Sequence, residues 1–257
     1  MTVTTADVAR LRARTGVGIL DAKNALDEAK GNEDLAIEIL RKKGIAQAVK
    51  KAARVQTQGA IFIASSASAA ALVQVRCETD FVALSDVFLK FGQGLADELL
   101  KKGKAGFDTY ASEKVPAAVL ELGENISVGD TKEVRAPIIG TYVHSNRKIG
   151  VIVGLEDGTK EQACDVAMHS AAMNPLYLRP SDASQEVLLK EREIWKEQLS
   201  KEKKPAQIIE KIMLGKEKKF KEENALLTQP FVKDSTQTVE KMLGKAILKE
   251  CVRVSFS

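Results

Sequence analysis

Aromatic side chains are scarce in this 257-residue chain: one Trp, three Tyr and eight Phe make up 5% of it. A core so poor in rings must be built from Ala, Leu, Ile and Val, which favours helices. No apolar run approaches the roughly 20 residues needed to span a bilayer. The opening stretch, Met1 to Thr15, carries Arg10, Arg12 and Arg14 but no apolar segment, so no signal peptide is expected. Asp7 and the early helical pattern also argue against an organellar leader. The three cysteines, Cys77, Cys164 and Cys251, are odd in number and far apart. That pattern reads as free thiols in a reducing compartment, without zinc-ligand spacing. A cytoplasmic protein is the expectation.

Groups that do chemistry are equally sparse. The two histidines, His144 and His169, have no metal-ligand spacing to carboxylates or cysteines. Each reads as a structural residue. There is no Gly-x-Ser-x-Gly elbow for a serine nucleophile. There is no Gly-x-x-x-x-Gly-Lys-Ser/Thr phosphate loop either. Gly16-Val17-Gly18 fails as a dinucleotide fingerprint, because Asp21 takes the third glycine position and no strand precedes it. No catalytic residue, cofactor, metal or directly bound nucleotide is therefore expected. The net charge of +4 is well short of a dedicated nucleic-acid binder.

What is present is an ordinary globular balance, 44% apolar and 29% charged, in a chain long enough for two or three small domains. Residues 1–54 read as a three-helix unit. Thr5 is positioned to cap a first helix carrying Val8 and Leu11. The spacing of Leu20, Ala22, Ala25, Leu26 and Ala29 predicts a second helix over 19–30. A third carries Leu35, Ile39 and Leu40 and is expected to stop at Gly44. A basic stretch with Lys50, Lys51 and Arg54 follows as a linker or helical extension.

From Gly59 the period changes. Residues 59–64 and 71–76 read as a strand pair. A helix follows over 85–101, with Val87, Phe88, Phe91, Leu95 and Leu99 on its apolar face. The plan then repeats, with strands at 140–144 and 149–155 and a helix over 160–173. Such repetition suggests an internal duplication of a hairpin-plus-helix unit. Residues 184–223 differ again. Leu188, Trp195 and Leu199, then Ile208, Ile212 and Met213, follow helical spacing on either side of Lys204-Pro205. From Lys190 to Glu223 there are eleven Lys/Arg and eight Asp/Glu. Mixed charge around a narrow apolar seam predicts an antiparallel helical hairpin in solvent. The chain returns to a core at Pro230-Phe231-Val232 and ends in a strand over 251–256. The expected fold is α+β, with a first core half at 55–139 and a second at 140–257 into which the hairpin is inserted.

One short constellation stands apart. Cys77-Glu78-Thr79-Asp80-Phe81-Val82 lies between a strand and the helix beginning at Ser85. One reading has Asp80 or Ser85 capping that helix while Phe81 packs inward. The other has an aromatic and a carboxylate presented together on a rigid turn, suited to a partner's pocket.

At these residues the chain resembles the elongation factor Ts family. The resemblance covers nearly the whole chain in order. It runs through Leu11-Arg12-x-Arg14-Thr15-Gly16-x-Gly18, Asp21-Ala22-Lys23 with Ala25-Leu26, Leu35-Ala36-Ile37-Glu38 and Leu40-Arg41-Lys42. It continues through Thr79-Asp80-Phe81-Val82, Gly123-Glu124-Asn125-Ile126, Tyr142-x-His144 with Gly150-Val151, and Ala167-Met168-His169 with Asn174-Pro175. It closes on Gln229-Pro230-Phe231-Val232. The resemblance implies a ubiquitin-associated-like N-terminal domain, a duplicated core and an inserted hairpin. It implies guanine-nucleotide exchange on the GTPase elongation factor Tu, with no cofactor of its own. The N-terminal domain and first core half would meet that partner's nucleotide-binding domain, and the second half its β-barrel. Phe81 would wedge between partner helices and Asp80 would disturb the Mg²⁺ waters. Thr79 would fix the turn, and Val82 would pack against the first core half. Val17, Ile19 and Leu20 would offer an apolar patch, with Ile19 and Leu20 as simple core residues the alternative. Lys23 and Lys51 would pair with acidic groups, and His144 and Arg147 would face the β-barrel. Members often continue into a further C-terminal helix. With the chain ending at Ser257, that contact is expected to be missing. The rival reading is an RNA- or ribosome-binding module that uses the Lys-rich hairpin.

Overall fold

The computed structural model describes residues 3–200 and 205–256. These fall into two compact units. One is drawn from Met1–Glu133, Val143–Gly150 and Val254–Ser257, the other from Val134–Tyr142 and Val151–Arg253. Together they carry an α+β fold in which a hairpin followed by a helix occurs twice.

The first unit opens with three helices, α1 (Thr5–Thr15), α2 (Ile19–Glu28) and α3 (Glu33–Lys51). The cap of α1 is Thr4, one residue before the expected Thr5. Its hydroxyl accepts from Asp7 N–H, and the Asp7 carboxylate accepts from Thr4 N–H. This reciprocal pair satisfies two donors that a bare helix start leaves exposed. Leu11, Ala22, Leu26, Ala36 and Leu40 close the small core, whereas Leu20 and Leu35 lie outside it.

Helix α3 does not stop at Gly44 but continues to Lys51. The glycine is there for proximity rather than termination. A Cβ at Gly44 would sit 2.8 Å from the carbonyl oxygen of Pro116, so only glycine lets the two helices approach this closely.

Strands β1 (Gln58–Ser65) and β2 (Ala69–Cys77) pair antiparallel, with Phe62 opposite Val73. After the short α4 (Asp80–Ala83) comes α5 (Asp86–Leu122), whose first arm, up to a break at Gly103, covers the expected 85–101 and whose second arm is additional. Ser85 is its cap, accepting from Phe88 N–H at 3.3 Å. Gly103, at φ 66° and ψ −177°, breaks α5 into two arms in a conformation that other residues rarely adopt. The expected helix ends at 101, ahead of both Gly103 and Pro116. Yet Phe107, Ala111, Ala118 and Val119 bury the second arm at helical spacing. Phe88, Leu95 and Leu99 are buried on the first arm as expected, but Val87 is exposed. A third strand, β3 (Ser127–Arg135), joins β2, giving the order β1-β2-β3. Its polar sequence carries little strand signal, so the pattern missed it.

In the second unit lies most of the sheet β4-β5-β8, made of β4 (Ile138–Val143), β5 (Ile149–Asp157) and β8 (Ile247–Ser255). Helix α6 (Lys160–Met173) covers the expected residues, capped by Thr159. Helices α7 (Gln185–Ser200) and α8 (Ala206–Asn224) pack antiparallel. The Trp195 and Phe220 rings meet edge-on at 5.9 Å, and Arg192 Nε donates to Glu217 at 2.8 Å. The seam on α8 passes through Ile209 and Ile212, leaving Ile208 exposed. Lys204 lies outside the described residues, and Pro205 directly precedes α8. Strands β6 (Pro230–Phe231) and β7 (Asp234–Thr238) and helix α9 (Val239–Leu243) lead back to β8. Among the described residues, no helix is long and apolar enough to cross a membrane.

His169 is the buried polar pin of this unit. Its Nδ1 accepts from Val232 N–H at 3.1 Å, so Nε2 carries the proton and donates to Gln229 Oε1 at 3.0 Å. The ring is neutral, and burial pushes its pKa below the ordinary histidine value. A group whose pKa is depressed on folding stabilises the fold above its unfolded pKa, and that stability is lost as pH falls. Protonation at Nδ1 would also set two donors against each other at Val232. The melting temperature is therefore expected to fall between pH 7 and pH 5, with a flatter slope in His169→Asn. Equal slopes in thermal melts of the two proteins would exclude this role.

Candidate functional site

Strand β2 ends at Cys77, and the chain turns at once into α4. Thr79 is the cap, accepting from Val82 N–H at 3.3 Å. The cap in turn is held by Glu124. Its Oε2 accepts from the N–H groups of Glu78 and Thr79 at 2.9 and 3.1 Å, and its Oε1 accepts from the Thr79 hydroxyl at 2.5 Å. The exchange is mutual, because Asn125 N–H donates to Glu78 Oε1 at 2.7 Å. Asn125 Nδ2 donates to Arg54 O at 2.9 Å, and Lys51 Nζ donates to Gly123 O at 2.6 Å. The end of α3 is thus tied to the segment that clamps the turn. A carboxylate accepting several such bonds forms a strong, directional clamp.

What the clamp presents is apolar. Phe81 is 84% exposed, so it does not pack inward. Asp80 Oδ1 accepts from Phe81 N–H at 3.0 Å. Val82 packs against the core of β1, β2 and α5, and Ala83 is buried in it. Ser85 Oγ donates back to Val82 O at 2.8 Å and closes the far side of the turn. Beneath it, burial pushes the Cys77 thiol up to about 12, so it stays protonated. It makes no nucleophile at neutral pH.

The remaining candidates divide. Val17 is not part of a surface patch, because the glycines on either side turn it into the three-helix core. Ile19 and Leu20 are 62% and 70% exposed at the start of α2, and Lys23 is exposed one turn on. Lys51 is engaged within the chain at Gly123, and burial together with the neighbouring Arg54 charge lowers its pKa. His144 and Arg147 lie in the β4–β5 turn, where His144 Nδ1 meets Asn146 Oδ1 at 3.1 Å. Arg147 adopts a left-handed φ of 54°, and its carbonyl accepts from Ile61 N–H at 2.8 Å. Its guanidinium lies 5.6 Å over the Phe62 ring. This turn and α4 wall the same cavity, so Asp80 and Arg147 come together although 67 residues separate them in sequence. Glu78, Glu124 and Asn125 are the residues that motif reading missed as site components. The signal for Glu124 and Asn125 was available in Gly123-Glu124-Asn125-Ile126, a match without an assigned role, and Glu78 stood in the Cys77–Val82 constellation itself.

Among the described residues, no three His, Cys, Asp or Glu side chains gather to hold a metal ion. The family model described as Elongation factor TS matches residues 78–256, which begins at this clamp and runs through β8. The chain belongs to the elongation factor Ts family. It is 42% identical over 250 residues to an elongation factor Ts from Marinobacter nauticus, covering 95% of this chain and 86% of that protein. It is 44% identical over 268 residues to one from Nitratiruptor sp., covering 96% and 88%. A third, from Hydrogenovibrio crunogenus, is 43% identical over 256 residues, covering 95% and 87%. Membership places this chain among translation elongation factors. The Thr79–Val82 turn and its Glu124 clamp lie within the matched segment.

Proposed function

We propose that this chain binds elongation factor Tu with GDP and promotes GDP release, so that GTP can bind during translation elongation. The single observation that carries the reading is Phe81, held out in water beside Asp80 by a turn with its polar groups satisfied. Exchange needs no covalent chemistry here. A factor that binds the nucleotide-free partner better than the GDP-bound one weakens GDP binding by the same factor. Phe81 would displace partner helices. Asp80 would upset the waters around the partner's Mg²⁺, which retains several when bound to phosphates. The three-part organisation, 1–54, 55–139 and 140–257 with the hairpin 184–223, belongs to this proposal. So do contacts from Ile19, Leu20, Lys23, His144 and Arg147. The charge pattern of the hairpin weighs against the RNA-binding alternative. Lys190, Lys218, Lys219 and Lys221 each stand beside a glutamate one helical turn away, and no aromatic platform interleaves them.

The test is release of labelled GDP from elongation factor Tu across a Mg²⁺ titration, with wild type and Asp80→Ala. Wild type is expected to accelerate release. The Asp80→Ala defect is expected to be largest with Mg²⁺ present and to shrink under chelation. No acceleration by the wild type would overturn the exchange reading. A defect of constant size, matched by a lowered melting temperature, would reduce Asp80 to a structural residue of α4.

A further inference from the structure

A second exposed apolar side chain stands one helical turn from Phe81. Leu84, which closes α4, is 75% exposed. Its N–H donates to Asp80 O at 3.0 Å, and the next residue, Ser85, donates its N–H to Val82 O at 3.0 Å. The backbone at Leu84 is therefore as firmly held as at Phe81. Side chains three apart on a helical turn share a face. Beside Leu84 lies a cavity of about 280 Å³, walled by Ala60, Ala83, Leu84 and Leu89, with Asp80 and Arg147 on its polar side. A leucine kept in water forgoes the burial that drives apolar side chains out of solvent. Here it does so next to an apolar hollow, on the turn that already presents Phe81.

We propose that Leu84 is a second apolar anchor for the GTPase partner, and that the adjoining hollow receives an apolar side chain from the partner's nucleotide-binding domain. This rests on the exchange reading above. The occupant follows from continuity, since whatever covers Phe81 must also pass over Leu84 on the same short turn. The chemistry agrees, with apolar walls for a side chain and Asp80 and Arg147 placed to meet polar groups around it. The contact then works in both directions, Phe81 and Leu84 entering the partner and one partner side chain entering this protein.

The test uses the full chain with Leu84→Ala, Leu84→Asp and Leu84→Met. The measurements are GDP release from elongation factor Tu, affinity for the nucleotide-free partner, thermal melts, and sedimentation of each factor alone. Leu84→Ala is expected to lower the second-order exchange rate about tenfold, as an anchor residue does when truncated. Leu84→Asp should lower it further, while Leu84→Met should keep most of it. Melting temperatures should stay unchanged, because the side chain packs against little in the free protein. Wild-type rates and affinities in Leu84→Ala and Leu84→Asp would overturn the proposal. So would self-association of the wild type that Leu84→Asp abolishes, which would make a second copy the occupant. A wild-type factor that fails to release GDP would instead overturn the underlying exchange reading.

Discussion

Replacing Phe81 by alanine is expected to slow stimulated GDP release by about thirtyfold while leaving the factor fully folded. An aromatic anchor truncated at the centre of an interface costs ~2 kcal/mol or more, and every ~1.4 kcal/mol is a factor of ten. The same substitution in a core costs roughly 3–5 kcal/mol of the protein's own stability. Phe62 and Phe88, buried with ring centroids 6.0 Å apart, are the internal comparison. Phe81 contributes no such packing, since most of its surface faces water. Phe62→Ala should therefore lower the melting temperature, and Phe81→Ala should not. Exchange at the wild-type rate by folded Phe81→Ala would end its role as a wedge.

The second large effect is expected at Glu124, which touches no partner in this reading. Glu124→Ala removes the acceptor of three hydrogen bonds at Glu78 and Thr79. Hydrogen bonds to a charged group contribute about 1.5–3 kcal/mol each, and orphaned backbone donors add to the loss. Water reaches this part-buried turn and resolvates the freed donors, so the net stability loss is expected to stay below that sum, at about 2–4 kcal/mol, together with at least a tenfold fall in exchange. Glu124→Gln separates placement from bulk stability. Its amide oxygen can still accept from the two backbone N–H groups, and its amide nitrogen can donate to the Thr79 hydroxyl. Most activity should return with the glutamine. Glu124 acts by positioning, so affinity for the nucleotide-free partner should fall together with the release rate. Wild-type exchange in folded Glu124→Ala would show that the turn holds its shape without the clamp.

Much of this protein is written in one dimension. Helical spacing in α1, α2 and α6, short apolar runs around a turn in β1, β2, β4 and β5, and the mixed-charge seam of α7 and α8 all depend on neighbours within a few residues. Where a breaker residue had a tertiary purpose, local reading failed. Gly44, expected to end a helix, instead permits a close helix crossing at Pro116. The polar β3 owes its strand state to pairing with β2. At the site, residue order alone makes Asp80 and Phe81 neighbours between a strand and a helix. Three-dimensional packing settled which way Phe81 faces, because burial is set by what lies opposite a side chain rather than beside it in sequence. It also decided that Glu124, more than forty residues downstream, holds the turn. Val17, placed in a surface patch by the resemblance, is instead buried where three helices close over it.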